Sequence, residues 1–181
     1  CTPVINGGDG SNQHPTQTFL DLYTVLKEKG SLSGLNVGFM GDLKYGRTVH
    51  SLIKCLDRFG KNNFFLFSDR GLSLPEEIVK EMDNEVFLEK DLKNIGKLDI
   101  LYMTRIQKER LVEREQVYEK ALYKINKKFL SKCKSDLRIM HPLPRVGEIV
   151  HDLDATENAV YFKQAKNGLP VRMALLKLIL C

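Results

Sequence analysis

Residues 36–59 read NVGFMGDLKYGRTVHSLIKCLDRF. The run Asn36–Gly41 is short and apolar, which suits a strand. Further on, Val49, Leu52, Ile53, Leu56 and Phe59 recur at i, i+3, i+4 and i+7 spacing, which predicts an amphipathic helix. Between them lies a polar turn with Asp42, Lys44, Tyr45 and Arg47. Strand, cationic loop and helix make the repeating unit of an open parallel sheet. In such sheets the loop at the carboxyl end of a strand faces the ligand.

The same alternation continues on both sides. On the N-terminal side, residues 1–14 carry turn chemistry, with Asn6, Asp9, Asn12 and three glycines. Pro15 suits the first turn of a helix, where its missing N–H costs nothing. That helix is expected to run to Lys29, with Phe19, Leu20, Leu22, Tyr23 and Leu26 as its apolar face and Gly30 as its cap. On the C-terminal side, Phe64–Phe67, Val86–Leu88, Leu98–Met103 and Leu137–Met140 read as strands. Helical signals fall at 75–82, 90–96, 107–122 and 125–133. The segment 142–160 is loop-rich, and Tyr161–Leu180 is helical in pattern with breaks at Asn167-Gly168 and Pro170. The expectation is an α/β fold: a doubly wound, mostly parallel, Rossmann-like sheet of about five strands flanked by helices.

Three polar clusters follow three of these strands: Asp42–Arg47, Thr104–Lys108 and His141–Arg145. Parallel βαβ connections would bring them to one sheet edge, with Arg47, Arg105, Lys108, His141 and Arg145 together. Such an edge suits a compact dianion or two small anions, because the guanidinium fork grips carboxylate or phosphate oxygens in pairs.

Composition excludes several other classes. The net charge is +5, but basic residues are interleaved with acids, as in LVEREQVYEKALYK, so no nucleic-acid surface is expected. No apolar run approaches the length of a membrane span. The four cysteines, at 1, 55, 133 and 181, form neither CxxC pairs nor zinc-ligand spacings. That usage points to a reducing, cytoplasmic setting, to Cys55 as a small core residue, and to no bound metal. Gly38, Gly41 and Gly46 do not fit GxGxxG, and GDLKYGRT places arginine where a phosphate-binding P-loop needs Lys-Ser/Thr. No GxSxG nucleophile elbow is present. Taken singly, the remaining signals are ordinary. His14 could be a helix cap, Arg105 and Glu109 a surface i, i+4 ion pair, and HPLPR a rigid turn.

Read together, INGGDGSNQHPTQTFLDLYT, GDLKYGRTVHSL, DILYMTRIQKERL, MHPLPRVGEI and YFKQAKNGLPVRMALL make the chain similar, from end to end, to the aspartate-binding half of the aspartate carbamoyltransferase family. The resemblance implies attack by the α-amine of L-aspartate on carbamoyl phosphate, giving N-carbamoyl-L-aspartate and phosphate in pyrimidine biosynthesis, without cofactor. It implies that His14 donates to the carbamoyl oxygen, and that Gln17, Pro142, Leu143 and Pro144 hold the carbamoyl group. Arg47, Arg105 and Gln107 would take the aspartate carboxylates, Arg105 acting in catalysis with His14, while Glu109 and Arg145 support them.

The ornithine-using sister family differs in carrying HCLP where this chain has His141-Pro142-Leu143-Pro144. A non-catalytic domain that keeps the fold is the other alternative. Two departures stand out. Gly147 occupies a position that is commonly acidic in the family, which predicts a looser Arg145. The family's Ser-x-Arg-Thr phosphate loop, and the Ser/Lys loop lent by a neighbouring subunit, do not occur in these residues. By the resemblance, residues 1–14 are the tail of an inter-domain connection, and helices 15–29 and 161–180 bridge from the 15–181 domain to an N-terminal carbamoyl-phosphate domain. The implied assembly is a homotrimer, with regulatory subunits or fusion partners left open.

Overall fold

The central strand is Asn36–Met40 (β1), whose residues Val37 to Met40 are all buried. In the computed structural model, which describes residues 2–10, 12–69, 71–106 and 123–180, it pairs on both sides with parallel neighbours. The others are Asn63–Phe67 (β2), Glu85–Glu89 (β3), Ile100–Met103 (β4) and Arg138–Met140 (β5). All are parallel, in the order β3-β2-β1-β4-β5. Burial on both faces explains why β1, β2 and β4 read as continuous apolar runs.

Alternate side chains feed two cores. Val37, Phe39, Phe64, Leu66, Ile100 and Tyr102 meet the helices Pro15–Lys29 (α1), Arg47–Asp57 (α2) and Glu76–Lys80 (α3). Met40, Phe65, Phe67, Leu101 and Met103 face Ile95, Phe129, Leu153 and Tyr161 on the other side. On that second face the expected helices at 90–96 and 125–133 are 3₁₀ turns, Lys93–Lys97 and Lys127–Lys132. The expected helix at 107–122 lies outside the described residues.

Helix α2 ends at Asp57, so Phe59 is exposed rather than part of the apolar stripe. The chain is tied at that point by the buried Asn62. Its Oδ1 accepts from the Leu35 N–H at 2.9 Å, and its Nδ2 donates to the Leu32 and Leu56 carbonyls, each at 2.9 Å. Cys55 is half-buried against the core and Cys133 likewise; neither is in a disulfide.

Two sequence expectations about helices change. In α1 the buried positions include Thr18, Asp21 and Thr24, while Phe19, Tyr23 and Leu26 are exposed at 47%, 38% and 44%. The C-terminal helix Tyr161–Leu180 (α4) runs unbroken through Gly168 and Pro170. Its polar residues pack on α1: Gln164 Nε2 donates to Asp21 at 2.6 Å and Asn167 Nδ2 to Thr24 Oγ1 at 2.9 Å. Gly168 is buried at this crossing, where a Cβ would lie 3.4 Å from Leu20. The glycine that reads as a helix break sits inside the helix, at its contact with α1.

Candidate functional site at the carboxyl edge of the sheet

Strand order reverses between β1 and β4, and open sheets bind ligands in the crevice outside such a switch point. A pocket lies there. Its walls are His14 and Gln17 from the start of α1, Gly46, Arg47 and Thr48 from the start of α2, Thr104 and Arg105 after β4, and His141 to Pro144 after β5. The structure thus brings together His14, Gln17, Arg47, Arg105, Pro142, Leu143 and Pro144. Gln107, Lys108 and Glu109 lie outside the described residues.

The turn after β1 is built for close approach. Gly41 has φ of +115°, and a Cβ there would stand 2.3 Å from the Thr104 carbonyl oxygen. Only glycine lets the β1 and β4 loops meet at this distance. The Asp42 carboxylate then accepts from the Tyr45 N–H at 2.9 Å, closing the turn that delivers Arg47 to the first position of α2. Arg47 Nη1 donates to the Gly10 carbonyl at 2.6 Å, so the 2–10 segment folds over the guanidinium. Arg105 Nη1 lies 3.4 Å from the Ile106 carbonyl.

His14 precedes Pro15 at the head of α1 and makes no side-chain cap bond. Its carbonyl instead accepts from the Gln17 and Thr18 N–H groups at 3.1 and 3.0 Å. Its Nδ1 is the one buried side-chain nitrogen or oxygen, among the described residues, without a hydrogen-bond partner. Burial, reinforced by the fields of Arg47 and Arg172, holds the imidazole below its ordinary pKa. A neutral imidazole beside two cations is a donor suited to an oxygen that is gaining negative charge.

The turn after β5 is rigid for reasons beyond its prolines. Buried His141 accepts the Leu143 N–H on Nδ1 at 2.8 Å, so its proton sits on Nε2 and is donated to Glu148 at 2.7 Å. Glu148 also accepts from the Val146 N–H at 2.9 Å. Burial pushes the Glu148 carboxyl up, but the bonds from His141 and the backbone outweigh it and leave the pKa lowered.

Arg145 does not line the pocket. Asp154 grips it through both oxygens, Nη2 donating to Oδ2 at 2.6 Å, and Tyr161 and His151 complete the set. Asp154 is correspondingly held well below the ordinary carboxylate range, chiefly by Arg145. With Gly147, whose φ is +117°, two positions along, Arg145 is still held by Asp154, Tyr161 and His151.

Beneath the pocket lies a buried polar network that sequence reasoning missed. Asp21 Oδ1 accepts from Gln17 Nε2 at 2.9 Å and Gln164 Nε2 at 2.6 Å, and Oδ2 from the Tyr102 hydroxyl at 2.8 Å. Gln164 Oε1 in turn accepts the His141 N–H at 2.8 Å. The available signal was Asp21 itself, an acid four residues after Gln17 inside an apolar helix. Among the described residues no group of three His, Cys, Asp or Glu side chains could hold a metal, and no helix is long and apolar enough to cross a membrane.

Comparisons with known proteins converge on this architecture. The family model for the aspartate/ornithine carbamoyltransferase Asp/Orn binding domain matches residues 33–179. The aspartate carbamoyltransferase catalytic subunit of Aliivibrio fischeri (strain MJ11) is 51% identical over 184 residues, which cover 99% of this chain and 59% of the relative. The corresponding subunit of Vibrio cholerae (strain ATCC 39541) is 50% identical, with 98% and 59% covered.

Among solved structures, the catalytic subunit of M. jannaschii aspartate transcarbamoylase superposes with a TM-score of 0.89 at 45% identity, covering 98% of this chain and 59% of that one. Trypanosoma cruzi aspartate transcarbamoylase in complex with N-(phosphonacetyl)-L-aspartic acid gives 0.89 at 35% identity, with 96% and 58% covered. The chain thus spans about three-fifths of the length of these relatives. With its five parallel strands and its match across 33–179, the chain belongs to the aspartate/ornithine carbamoyltransferase family and carries that family's Asp/Orn binding domain.

Proposed function

We propose that this chain is the aspartate-binding part of an aspartate carbamoyltransferase. The observation that carries this reading is the pairing of Arg47 and Arg105 in one pocket with His14, Gln17 and the 142–144 turn. Two guanidinium groups favour a dicarboxylate over a cationic acceptor such as ornithine. The α-amine of L-aspartate would attack the carbonyl carbon of carbamoyl phosphate. A C–N bond forms, the C–O bond to phosphate breaks with its electron pair leaving on phosphate, and the amine proton passes to water or the departing phosphate. His14 would stabilise the carbonyl oxygen as it becomes an oxyanion, Arg47, Arg105 and Gln107 would seat the two carboxylates, and Glu109 would orient Arg105. Catalysis is then positioning and charge stabilisation.

The phosphate end of the electrophile needs groups outside these 181 residues: the domain that relatives carry in their remaining length, and a neighbouring subunit of a trimer. The exposed faces of α1 (Phe19, Tyr23, Leu26) and α4 (Leu169, Met173, Leu176, Leu180) fit an apolar contact with that domain. The free Cys55 and Cys133 support a reducing, cytoplasmic setting as part of this reading. Residues 1–181 alone are expected to form no N-carbamoyl-aspartate and to self-associate in light scattering. The chain joined to its N-terminal domain is expected to turn over as a trimer. Turnover by residues 1–181 as a monomer would contradict this division of the site.

A further inference from the structure

Of Gln17, Gln164 and Tyr102, the groups that bond to Asp21, Gln17 itself lines the pocket, and Asp21 is fully buried. A buried carboxylate oxygen facing an amide accepts; it therefore selects the NH2 end of each amide that reaches it. On Oδ1 it receives two, Gln17 at 2.9 Å and Gln164 at 2.6 Å, while the Tyr102 hydroxyl occupies Oδ2 at 2.8 Å. With one N–H of Gln17 donated to Asp21, the amide is held nitrogen-inward, and Oε1 is the end left for a pocket ligand. Gln164 is set the same way: its nitrogen goes to Asp21, and its oxygen takes the His141 N–H at the start of the 141–144 turn.

We propose that Asp21 is a positioning residue that fixes the polarity of the Gln17 amide, so that the pocket presents an acceptor and selects an acyl phosphate bearing N–H over one bearing a methyl group. This rests on the carbamoyl-transfer reading above. It adds a cause for substrate choice that lies outside the pocket wall, in a side chain that no substrate touches. The geometry argues for more than packing. An apolar residue at position 21 would fill the space yet leave the Gln17 amide free to turn over, because amide oxygen and nitrogen have the same shape, whereas Gln164 would still be held by the His141 N–H.

The test uses the complete enzyme, this chain together with its N-terminal domain, with carbamoyl phosphate as substrate and acetyl phosphate as the methyl-bearing competitor. For Asp21→Ala the preference for carbamoyl over acetyl phosphate should fall at least about tenfold, as expected when a site loses the acceptor that reads an N–H. The KM for carbamoyl phosphate should rise while that for aspartate changes less than about threefold. Asp21→Asn, which can keep an oxygen in the Oδ1 position, should recover the preference to within about threefold of wild type. The double variant Asp21→Ala/Gln17→Met should be no less selective than Gln17→Met alone, because Asp21 acts through Gln17. Should Asp21→Ala fail to fold, Asp21→Ser is read in the same way, since its hydroxyl is too short to reach Gln17. A folded Ala or Ser variant that loses activity but keeps the wild-type preference would show a packing role and overturn the proposal. Absence of carbamoyl transfer in the wild-type enzyme would instead overturn the reading on which it rests, and the proposal with it.

Discussion

Two buried acids within one network have pKa values moved in opposite directions, and the difference is in their partners. Asp21 is pushed up to about 7, chiefly by burial; the hydrogen bonds from Gln164, Tyr102 and Gln17 and the charge of Arg172 only partly oppose it. Glu148 is lowered, because the bonds from His141 and the backbone exceed its burial cost. The consequences for stability have opposite signs. The folded state binds the Asp21 proton more tightly than the unfolded chain, whose carboxyl has the ordinary value of 3.8. The stability this provides is fully present below that value and is lost as pH rises toward 7. From Asp21 alone the loss is at most about 4 kcal/mol. Asp21→Asn should therefore flatten the decline in unfolding free energy between pH 4 and pH 7, as measured by denaturant midpoints across that range. An unchanged slope would place the titration elsewhere.

For Glu148 the contribution is present above its unfolded pKa and is lost as pH falls below it. Glu148→Ala leaves the buried His141 Nε2–H without an acceptor, and at pH 7 should cost about 1–3 kcal/mol. A fall of several degrees in melting temperature would register it, whereas a shift within error would mean that the His141 turn does not depend on this pair.

At the scale of elements, α4 shows how a residue's meaning depends on its neighbour. Glycine and proline inside a helical pattern read as a break, yet α4 continues across both. Gly168 lies where α1 passes at Leu20, and the crossing has room for a methyl but little more. The added methyl of Gly168→Ala meets Leu20 at ordinary contact distance; its closest contact, 2.5 Å, is with the flexible end of Arg172. It should change stability little, with better helix propensity offsetting the crowding. Gly168→Val adds branches against Leu20 and should cost about 1–3 kcal/mol. Thermal melts of the two variants separate the alternatives; equal stability of Val and Ala would show that the helices are not tightly apposed at 168.

The same element explains the error in α1. Its Asp21 and Thr24 are buried where α4 and Tyr102 supply donors, and those partners lie between 81 and 143 positions away in sequence. Local periodicity carries no trace of a partner at that distance, so it points the apolar Phe19, Tyr23 and Leu26 inward instead. Arg145 lies outside the pocket wall. Its positive charge pointed to the anion pocket, while Asp154, Tyr161 and His151 claim it in the structure.

For the whole molecule, the parallel sheet was legible because each central strand is an apolar run buried on both faces and ends in a polar loop. Chain direction alone then puts the three loops on one edge, and Arg47, Arg105 and the 142–144 turn do meet there. What was not legible is the layer under that edge, where Asp21, Gln164 and Glu148 hold the pocket's walls. Buried polar groups of this kind are recognised by mutual satisfaction, which is a property of coordinates and not of spacing.

The central claim is that this pocket seats aspartate for carbamoyl transfer. Its most direct test is a competition in the complete enzyme, with carbamoyl phosphate and equal concentrations of L-aspartate and L-ornithine, the products being resolved by mass. The account predicts N-carbamoyl-aspartate as the dominant product. It also predicts a loss of about tenfold or more in its rate of formation for Arg105→Ala, the cost of a charge-assisted carboxylate contact, and little change for the exposed Lys61→Ala. Citrulline as the main product, or an Arg105→Ala enzyme as active as wild type, would contradict it.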